Sequence, residues 1–505
     1  MPEGFSASDF YYLLPELVMT GGSLVLLGAD AIVRGTRRRL LTGLALLTIV
    51  ATAAALVPMA DVNIVVARGT IAVDTFAFFF KIVFLLAALL AILMSFTYLE
   101  VEGVRPGEYY FLVLCATLGM MIMAGGVDLI TIFIGLETMA VSFYVLAGYL
   151  KPNRRSNEAA VKYFLLGAFS LGILLYGMSL LYAVTGTTQL GQIATALASG
   201  GGGILLALAA VLVVAGVGFK IAAVPFHMWA PDVYEGSPTP VAAFLSVGSK
   251  AASFAMLLRI FVEGLPAFSA SGLSTWFGMP IGWTTFFYVL AVITMTVGNL
   301  AALTQSNMKR LLAYSSIAHA GYVLIGVVAI SSGSIRGITA TLIYLFIYAF
   351  MQLGAFAIVT MMRRRDTIGD ELKDLSGLYF RSPAAAIAML LFMLSLGGIP
   401  PTAGFMGKFW VFGAAIEAGY VWLAVIGVLN SAVSLYYYIR VVVFIWTREE
   451  AAGSALSLSP ALATVLVVAV VGTLALGIYP APLFELAEAS AQTLGHAGAA
   501  LTFLR

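Results

Sequence analysis

Long apolar runs, separated by short polar connections, make up almost the whole sequence. Runs of roughly 20 apolar residues, the length of a helix that crosses a bilayer, start near residues 11, 40, 71, 109, 128, 158, 204, 240, 283, 308, 337, 384, 419 and 457. Hydrophobic residues make up 61% of the 505 residues and charged residues 10%, which excludes a soluble protein of this length. The pattern therefore predicts an all-α polytopic membrane protein with about 14 transmembrane helices.

The distribution of basic residues between the loops predicts the orientation of these spans. Connections after odd-numbered spans contain most of the loop lysines and arginines, whereas the other side of the membrane has Arg68, Arg336 and Arg505. Loops rich in lysine and arginine stay on the cytoplasmic side, so both termini are expected on the outer face. The opening residues, MPEGFSASDFYY, lack a basic region and a small-residue cleavage site, so the first span is expected to be retained.

Few residues in the chain could hold a metal or a cofactor. There is one cysteine, Cys115, with three histidines and neither a CxxC motif nor a glycine-rich phosphate loop. Neither a metal cluster nor a nucleotide site is therefore predicted. The formal net charge of +2 gives no indication of nucleic-acid binding. We expect no cofactor in this chain and assign any electron transfer to partner chains.

Charged residues at membrane depth give the strongest indication of function. Lys220 lies inside an apolar run, with Pro225 soon after it, and Lys250 lies at a similar depth in the next span. An ammonium at the centre of a membrane helix costs roughly 2.5–3.5 kcal/mol, and proline breaks or kinks the helix beside it. Interrupted backbone is tolerated at this depth where protein or water surrounds it. These features predict a hydrated path for a small cation.

A second set of deep charges repeats this arrangement. Glu137 lies near the middle of the fifth span, and Lys408 follows the Gly-Pro-Pro break of LFMLSLGGIPPTAGFMGKFWVF in the twelfth. We therefore predict two five-helix repeats with discontinuous helices at spans 7 and 12, and an odd number of helices means that the repeats are inverted. The predicted units are helices 1–3, the first repeat (helices 4–8), the second repeat (helices 9–13), and helix 14 with the tail, over residues 1–108, 109–265, 280–447 and 448–505.

The residue types favour protons over other cations. Lysine can exchange protons when desolvation lowers its pKa, whereas sodium would more naturally be bound by carboxylates and backbone carbonyls. Movement of Glu137 relative to Lys220 would switch the lysine between loading and release. The alternative is a static buried ion pair that fixes helix packing. His227 and His319 are candidate relay groups, and the alternative for each is an ordinary structural histidine.

Two further basic residues lie near span ends. Lys162 is in the first turn of its helix, and Arg259 is near the end of its own. Long basic side chains at such positions can extend to the membrane surface. We therefore expect both of them to do so.

Several stretches resemble a known family. They are GLETMAVSFYVLAGY around Glu137, KYFLLGAFS at 162–170, GFKIAAVPFHMWAPDVYEGSPTPVAAFLSVGSK, and NMKRLLAYSSIAHAGY followed by GGIPPTAGFMGKFW. Together they resemble the antiporter-like membrane subunits of respiratory complex I and of multisubunit cation/proton antiporters. The resemblance implies that the proton-translocating positions of the family are Glu137, Lys220, Lys250 and Lys408. His319 is identified with the family's histidine that bridges two half-channels.

The resemblance also implies a function, partners and a location. LLPELVMTGGSLVLLGADAI and the lysine in the second broken helix resemble the complex I branch of the family. The implied protein is a proton-translocating membrane-arm subunit in the bacterial inner (plasma) membrane, with NADH, FMN, iron–sulfur clusters and quinone held by other subunits. The expected neighbours are the antiporter-like subunit M, the small subunits K and J, and lipid. The alternatives are a subunit of a multisubunit cation/proton antiporter and a non-conducting scaffold of the membrane arm.

Overall fold

The chain folds as a bundle of membrane-length helices. The computed structural model describes residues 6–32, 38–198, 203–269, 271–276, 279–330, 334–363, 369–447 and 458–499. Within these ranges, 13 helices are long and apolar enough to cross a membrane. Two shorter helices, Pro383–Gly397 and Ala403–Glu417, make up one further, interrupted span. The predicted all-α architecture with about 14 spans is therefore confirmed.

The first half of the chain ends with a span of mixed helical type. Its α-helices are α1 (Ala7–Tyr12), α2 (Leu14–Ile32), α3 (Arg38–Leu56), α4 (Thr75–Glu102), α5 (Gly107–Gly125), α6 (Leu129–Ala147), α7 (Arg154–Thr185), α8 (Leu190–Ala198), α9 (Gly203–Lys220), α10 (Trp229–Gly236), α11 (Thr239–Phe244) and α12 (Lys250–Leu258). The eighth span joins α11 and α12 through the π-helical turn Leu245–Ser249 and ends in a second one, Arg259–Gly264.

The second half contains the remaining helices. They are α13 (Trp283–Ala302), α14 (Met308–Ala329), α15 (Arg336–Met362), α16 (Leu378–Arg381), α17 (Pro383–Gly397), α18 (Ala403–Glu417), α19 (Val421–Trp446), α20 (Pro460–Ile478) and α21 (Ala481–Ala499). Short 3-10 turns are formed by Val57–Met59, Ala67–Gly69, Pro266–Phe268 and Leu372–Leu375. Two antiparallel hairpins connect spans: β1 (Ile64–Val66) with β2 (Ile71–Val73), and β3 (Ser271–Trp276) with β4 (Met279–Ile281).

Spans 7 and 12 are interrupted, as the sequence predicted. α9 ends at Lys220, and Ala222 then takes a left-handed φ of 58° before Pro225, which has no N–H to donate. At the second break, Gly398 has a φ of 85° and caps α17 by donating its N–H to the Leu394 carbonyl oxygen at 3.0 Å. Proline and a left-handed residue therefore stop both helices inside the membrane.

The eighth, tenth and eleventh spans form the centre of the bundle. Nearly all side chains of Thr239–Gly264, α14 and α15 are buried, whereas α2, α19 and α20 leave most of theirs uncovered. Uncovered apolar faces suit lipid or neighbouring membrane subunits. The division of the bundle into two inverted five-helix repeats stays a prediction.

Arg259 does not extend to the membrane surface, so that expectation was wrong. Its side chain is 1% exposed, donates to both carboxylate oxygens of Asp74 at 2.8 and 2.7 Å, and also binds Glu263. A further hydrogen bond joins its Nε to the Ala124 carbonyl at 3.1 Å. Asp74 lies 185 residues away in the sequence, so spacing along the chain could not indicate this partner.

Two lysines within the spans also have carboxylate partners. Lys162 keeps 42% of its side chain exposed and pairs with Asp232 at 2.7 Å and Glu158 at 2.8 Å. Lys81 is 2% exposed and pairs with Glu16 at 2.6 Å. These lysines are therefore fixed in ion pairs, one near a surface and one buried.

We expect Arg259→Ala to destabilise the protein, because it leaves the carboxylates of Asp74 and Glu263 buried without a cation. Removing one partner of a buried ion pair costs about 3–5 kcal/mol. The thermal unfolding of the detergent-solubilised protein measures this loss. Arg336→Ala is the control, because its pair with Glu417 is more than half exposed and such pairs contribute ~0–1 kcal/mol. Equal unfolding temperatures for the two variants would contradict the expectation.

Candidate functional site

Lys220 is buried among aromatic side chains at the end of α9. The residue is 2% exposed. Its ammonium donates to the Tyr144 hydroxyl, with 3.4 Å between the two atoms, and lies 5.6 and 5.8 Å from the ring centres of Tyr144 and Phe219. The Trp229 indole N–H donates to the Phe219 carbonyl at 2.9 Å, which ties the break to the end of α9. Aromatic faces attract a cation only modestly, so Lys220 has weak partners.

Glu137 lies on α6, two turns before Tyr144, and its side chain is half-buried. Within the described ranges its carboxylate has no hydrogen-bond or ion-pair partner, although it acts electrostatically on Tyr144 and Lys220. Ile134 and Val141, one turn before and after it, are exposed. The static ion pair between Glu137 and Lys220 is therefore not formed in this conformation, and Glu137 lies on a face of α6 that this chain leaves open.

Lys250 is held by the backbone of a neighbouring helix. It is 4% exposed, and its ammonium donates to the Ser316 carbonyl oxygen on α14. Lys250 begins α12 directly after the π-helical turn Leu245–Ser249. Such a turn makes i→i+5 hydrogen bonds, which changes the angular position of the residues that follow. The turn therefore helps to set which neighbour Lys250 meets, and the sequence did not predict it.

His319 has a hydroxyl partner on each ring nitrogen. Nδ1 lies 2.7 Å from the Tyr344 hydroxyl and Nε2 lies 3.1 Å from the Tyr438 hydroxyl. The Tyr438 oxygen lies 2.5 Å from the Ser315 hydroxyl oxygen. A neutral imidazole donates from one nitrogen and accepts at the other. The buried ring can therefore take a proton on one side and release one on the other.

Lys408 is held by the broken end of α17. Its ammonium donates to the Gly397 carbonyl at 2.8 Å, to the Leu396 carbonyl at 3.1 Å and to the Ser431 hydroxyl at 2.7 Å. The Tyr322 ring centre lies 5.0 Å from Nζ. The last carbonyls of a helix have no intrahelical partner and bear partial negative charge. The break in the twelfth span thus supplies the acceptors for its buried lysine.

Gly398 allows this close approach. Its φ of 85° lies in the left-handed region, and a Cβ at this position would be 2.8 Å from Lys408 Cδ. Gly419 also has a left-handed φ, 86°, but a Cβ there would meet nothing within 4 Å. Glycine at 398 is therefore required twice, by the backbone and by the lysine.

His227 is not joined to the other candidates. It is half-buried in the break after α9, and its interaction partner is the backbone of Pro225. Among the described residues no hydrogen bond links it to Lys220. Whether His227 is a relay group or an ordinary structural histidine stays a prediction.

Sequence reasoning missed the hydroxyl groups that contact these candidates. Tyr344 and Tyr438 bind His319, and Tyr438 lies 119 residues from it in the chain, so no local pattern could indicate the contact. Tyrosine is also common near membrane interfaces, which weakens its value as a signal. Tyr144 could have been found, because it follows Glu137 by two helical turns and so lies on the same side of α6.

Known proteins are similar to this chain in sequence. The family described as NADH:quinone oxidoreductase/Mrp antiporter, TM, matches residues 126–434. NADH-quinone oxidoreductase subunit N of Trichlorobacter lovleyi is 45% identical over 487 residues, which cover 96% of this chain and 97% of that one.

Solved structures are similar in fold. A chain of respiratory complex I from Thermus thermophilus is 34% identical, with a TM-score of 0.78 over 93% of this chain and 98% of that one. A chain of the Mrp complex from Dietzia has a TM-score of 0.81 over 99% of both chains, and its 23% identity shows the fold alone. The chain therefore belongs to the NADH-quinone oxidoreductase subunit N family and is a membrane-arm subunit of that complex.

Proposed function

We propose that this chain moves protons across the membrane, driven by quinone reduction in other subunits of the complex. The observation that best supports this proposal is the nature of the partners around three buried lysines. Hydroxyl and carbonyl oxygens hold Lys220, Lys250 and Lys408. A carboxylate instead holds Lys81, which is equally buried. Among the described residues, Lys81 thus differs from these three lysines in its partner, and neutral partners suit proton transfer.

Neutral partners suit a relay because they fit both protonation states. An amine keeps two N–H donors after its ammonium loses a proton and gains a lone pair to which a hydroxyl can donate, so carbonyl and hydroxyl oxygens remain suitable partners. A carboxylate partner favours the charged form and opposes release. Lysines with neutral partners can therefore lose and regain a proton without rebuilding the packing around them.

α14 connects two of the lysines. Ser316, whose carbonyl binds Lys250, precedes His319 by one turn, and Tyr322, whose ring faces Lys408, follows it by one turn. Residues three apart lie on the same side of a helix. We infer that a proton leaving Lys250 reaches Lys408 through His319 and its two tyrosine hydroxyls, because each ring nitrogen of His319 lies within hydrogen-bond distance of one of those hydroxyls.

Glu137 is the group that controls Lys220 in this proposal. A carboxylate 4 Å from an ammonium contributes on the order of 4 kcal/mol at an effective dielectric constant of about 20. Moving the carboxylate toward or away from Lys220 would load the lysine or let it release. Glu137 is half-buried and has no ion-pair partner among the residues that the structure describes, and Lys220 is weakly held, so both suit such a change.

The open face of α6 supports a partner in the membrane. A carboxylate that faces lipid is costly, so a neighbouring subunit is expected to cover Glu137. We propose that the antiporter-like subunit M and the small subunits K and J surround this chain, with lipid over the remaining apolar faces. NADH, FMN, iron–sulfur clusters and quinone would be bound by other subunits. The complex would lie in the bacterial inner membrane, with both termini of this chain on the outer face.

The second candidate function is that of a subunit in a multisubunit cation/proton antiporter. The family description and the fold shared with the Mrp complex favour it. An affinity-tagged chain extracted in mild detergent discriminates the two. Copurified NADH-quinone reductase activity supports the first function, whereas sodium-stimulated transport by an assembly without NADH oxidation supports the second.

We expect Lys220→Ala to lower proton pumping by roughly 10²-fold, the lower end of the contribution of a general acid–base group. Pumping and NADH-quinone reductase activity are measured in proteoliposomes, per mole of assembled complex. Lys151→Ala is the control, because Lys151 is exposed in a loop. Normal pumping by Lys220→Ala would exclude the relay role. A loss in strict proportion to lost assembly would instead favour the scaffold.

We expect Gly398→Ala to impair pumping more than Gly419→Ala. Both alanines are strained by a left-handed φ, but only the alanine at 398 presses on Lys408 and pushes its ammonium from the end of α17. The measurement is the ratio of protons pumped to NADH oxidised in the assembled complexes. Equal ratios would show that the position of Lys408 does not matter for pumping.

A further inference from the structure

We propose that Tyr144 is a positioning residue whose hydroxyl accepts the hydrogen bond of Lys220 when the ammonium leaves Glu137. The lysine then alternates between a hydroxyl and a carboxylate. The inference rests on the proposed proton translocation. It names the group that makes the separation of Lys220 from Glu137 reversible. Tyr144 is 7% exposed, and its hydroxyl oxygen is the hydrogen-bond acceptor that the structure gives to Lys220.

Both competing acceptors are on one helix. Glu137 and Tyr144 are separated by seven residues of α6, which corresponds to a rise of roughly 10 Å and nearly whole turns. They therefore face the same side of the helix and offer a lysine from α9 a charged acceptor at one level and a neutral acceptor at the other. A buried ammonium that leaves a carboxylate needs another acceptor. The Tyr144 hydroxyl meets that need.

The Tyr144 ring is fixed by aromatic contacts that lead back to the break. It meets the Tyr163 ring edge to face, with 4.7 Å between centres, and Tyr163 stacks on Trp229 at the same separation. Trp229 in turn holds the Phe219 carbonyl, one residue before Lys220. The hydroxyl and the lysine are therefore linked through packed rings, so that a displacement of Tyr144 changes the surroundings of Lys220.

Gly167 of α7 makes the room for this hydroxyl. A Cβ at position 167 would lie 2.1 Å from the Tyr144 hydroxyl oxygen and 2.7 Å from the ring carbon that bears it. The ring is enclosed by Tyr163 and Phe164 and can yield only by moving as a whole. Gly172, on the same helix, has nothing within 4 Å of such an added carbon. An alanine at 167, unlike one at 172, would displace the hydroxyl without removing any charge.

The test uses the intact complex in proteoliposomes, with proton pumping and NADH oxidation measured per mole of assembled complex. Tyr144→Phe keeps the ring and removes the acceptor, so we expect pumping to fall by roughly tenfold, the worth of one hydrogen bond to a charged group. Gly167→Ala should also lower pumping, because the added carbon displaces the Tyr144 hydroxyl. Tyr176→Phe, at a tyrosine that is 57% exposed, and Gly172→Ala should leave pumping unchanged.

A double variant separates positioning from packing. If Tyr144 and Glu137 serve the same ammonium, Tyr144→Phe should have little further effect once Glu137→Gln is present, because coupled residues are not additive. A purely structural role predicts that the two losses multiply. Wild-type pumping by Tyr144→Phe, or equal pumping by Gly167→Ala and Gly172→Ala, would overturn the inference. Normal pumping by Lys220→Ala would overturn the proposed function itself.

Discussion

The structure depends on one constraint: polar groups inside a bilayer must find their partners within the protein. A helix that stops at membrane depth exposes carbonyl oxygens, and a lysine at that depth needs acceptors. At the second break both requirements are satisfied together, because the Lys408 ammonium donates hydrogen bonds to the carbonyls of Leu396 and Gly397. The interruption of the helix and the buried charge therefore stabilise each other, and neither is favourable alone.

The buried cations divide into two groups by their partners. Arg259 lies between Asp74 and Glu263, and Lys81 pairs with Glu16. Such pairs hold the N-terminal helices and the eighth span in place. Within the described ranges, the lysines proposed as relay groups have neutral oxygens and aromatic faces as partners. Burial alone therefore does not separate a charge fixed in an ion pair from one suited to proton transfer.

The central helix α14 gives the site its continuity. It lies in the buried core of the bundle and presents Ser316, His319 and Tyr322 on successive turns. Packing from the neighbouring helices α15 and α19 then adds the tyrosine hydroxyls that complete the histidine. A helix whose side chains are nearly all buried is a suitable support for groups that must stay within hydrogen-bond distance of one another. The mobile part of the mechanism is better sought at Glu137, on the open face of α6.

The sequence by itself determined the membrane spans, the two breaks and the depth of Glu137, Lys220, Lys250 and Lys408, because apolar length, proline and glycine act locally along the chain. It also contained the family resemblance. Only the tertiary structure decided the partners. It buried Arg259 beside a distant aspartate, placed a hydroxyl rather than a carboxylate next to Lys220, and gave His319 its two tyrosines. Contacts between helices far apart in sequence leave no periodic signal, so these partners follow from packing alone.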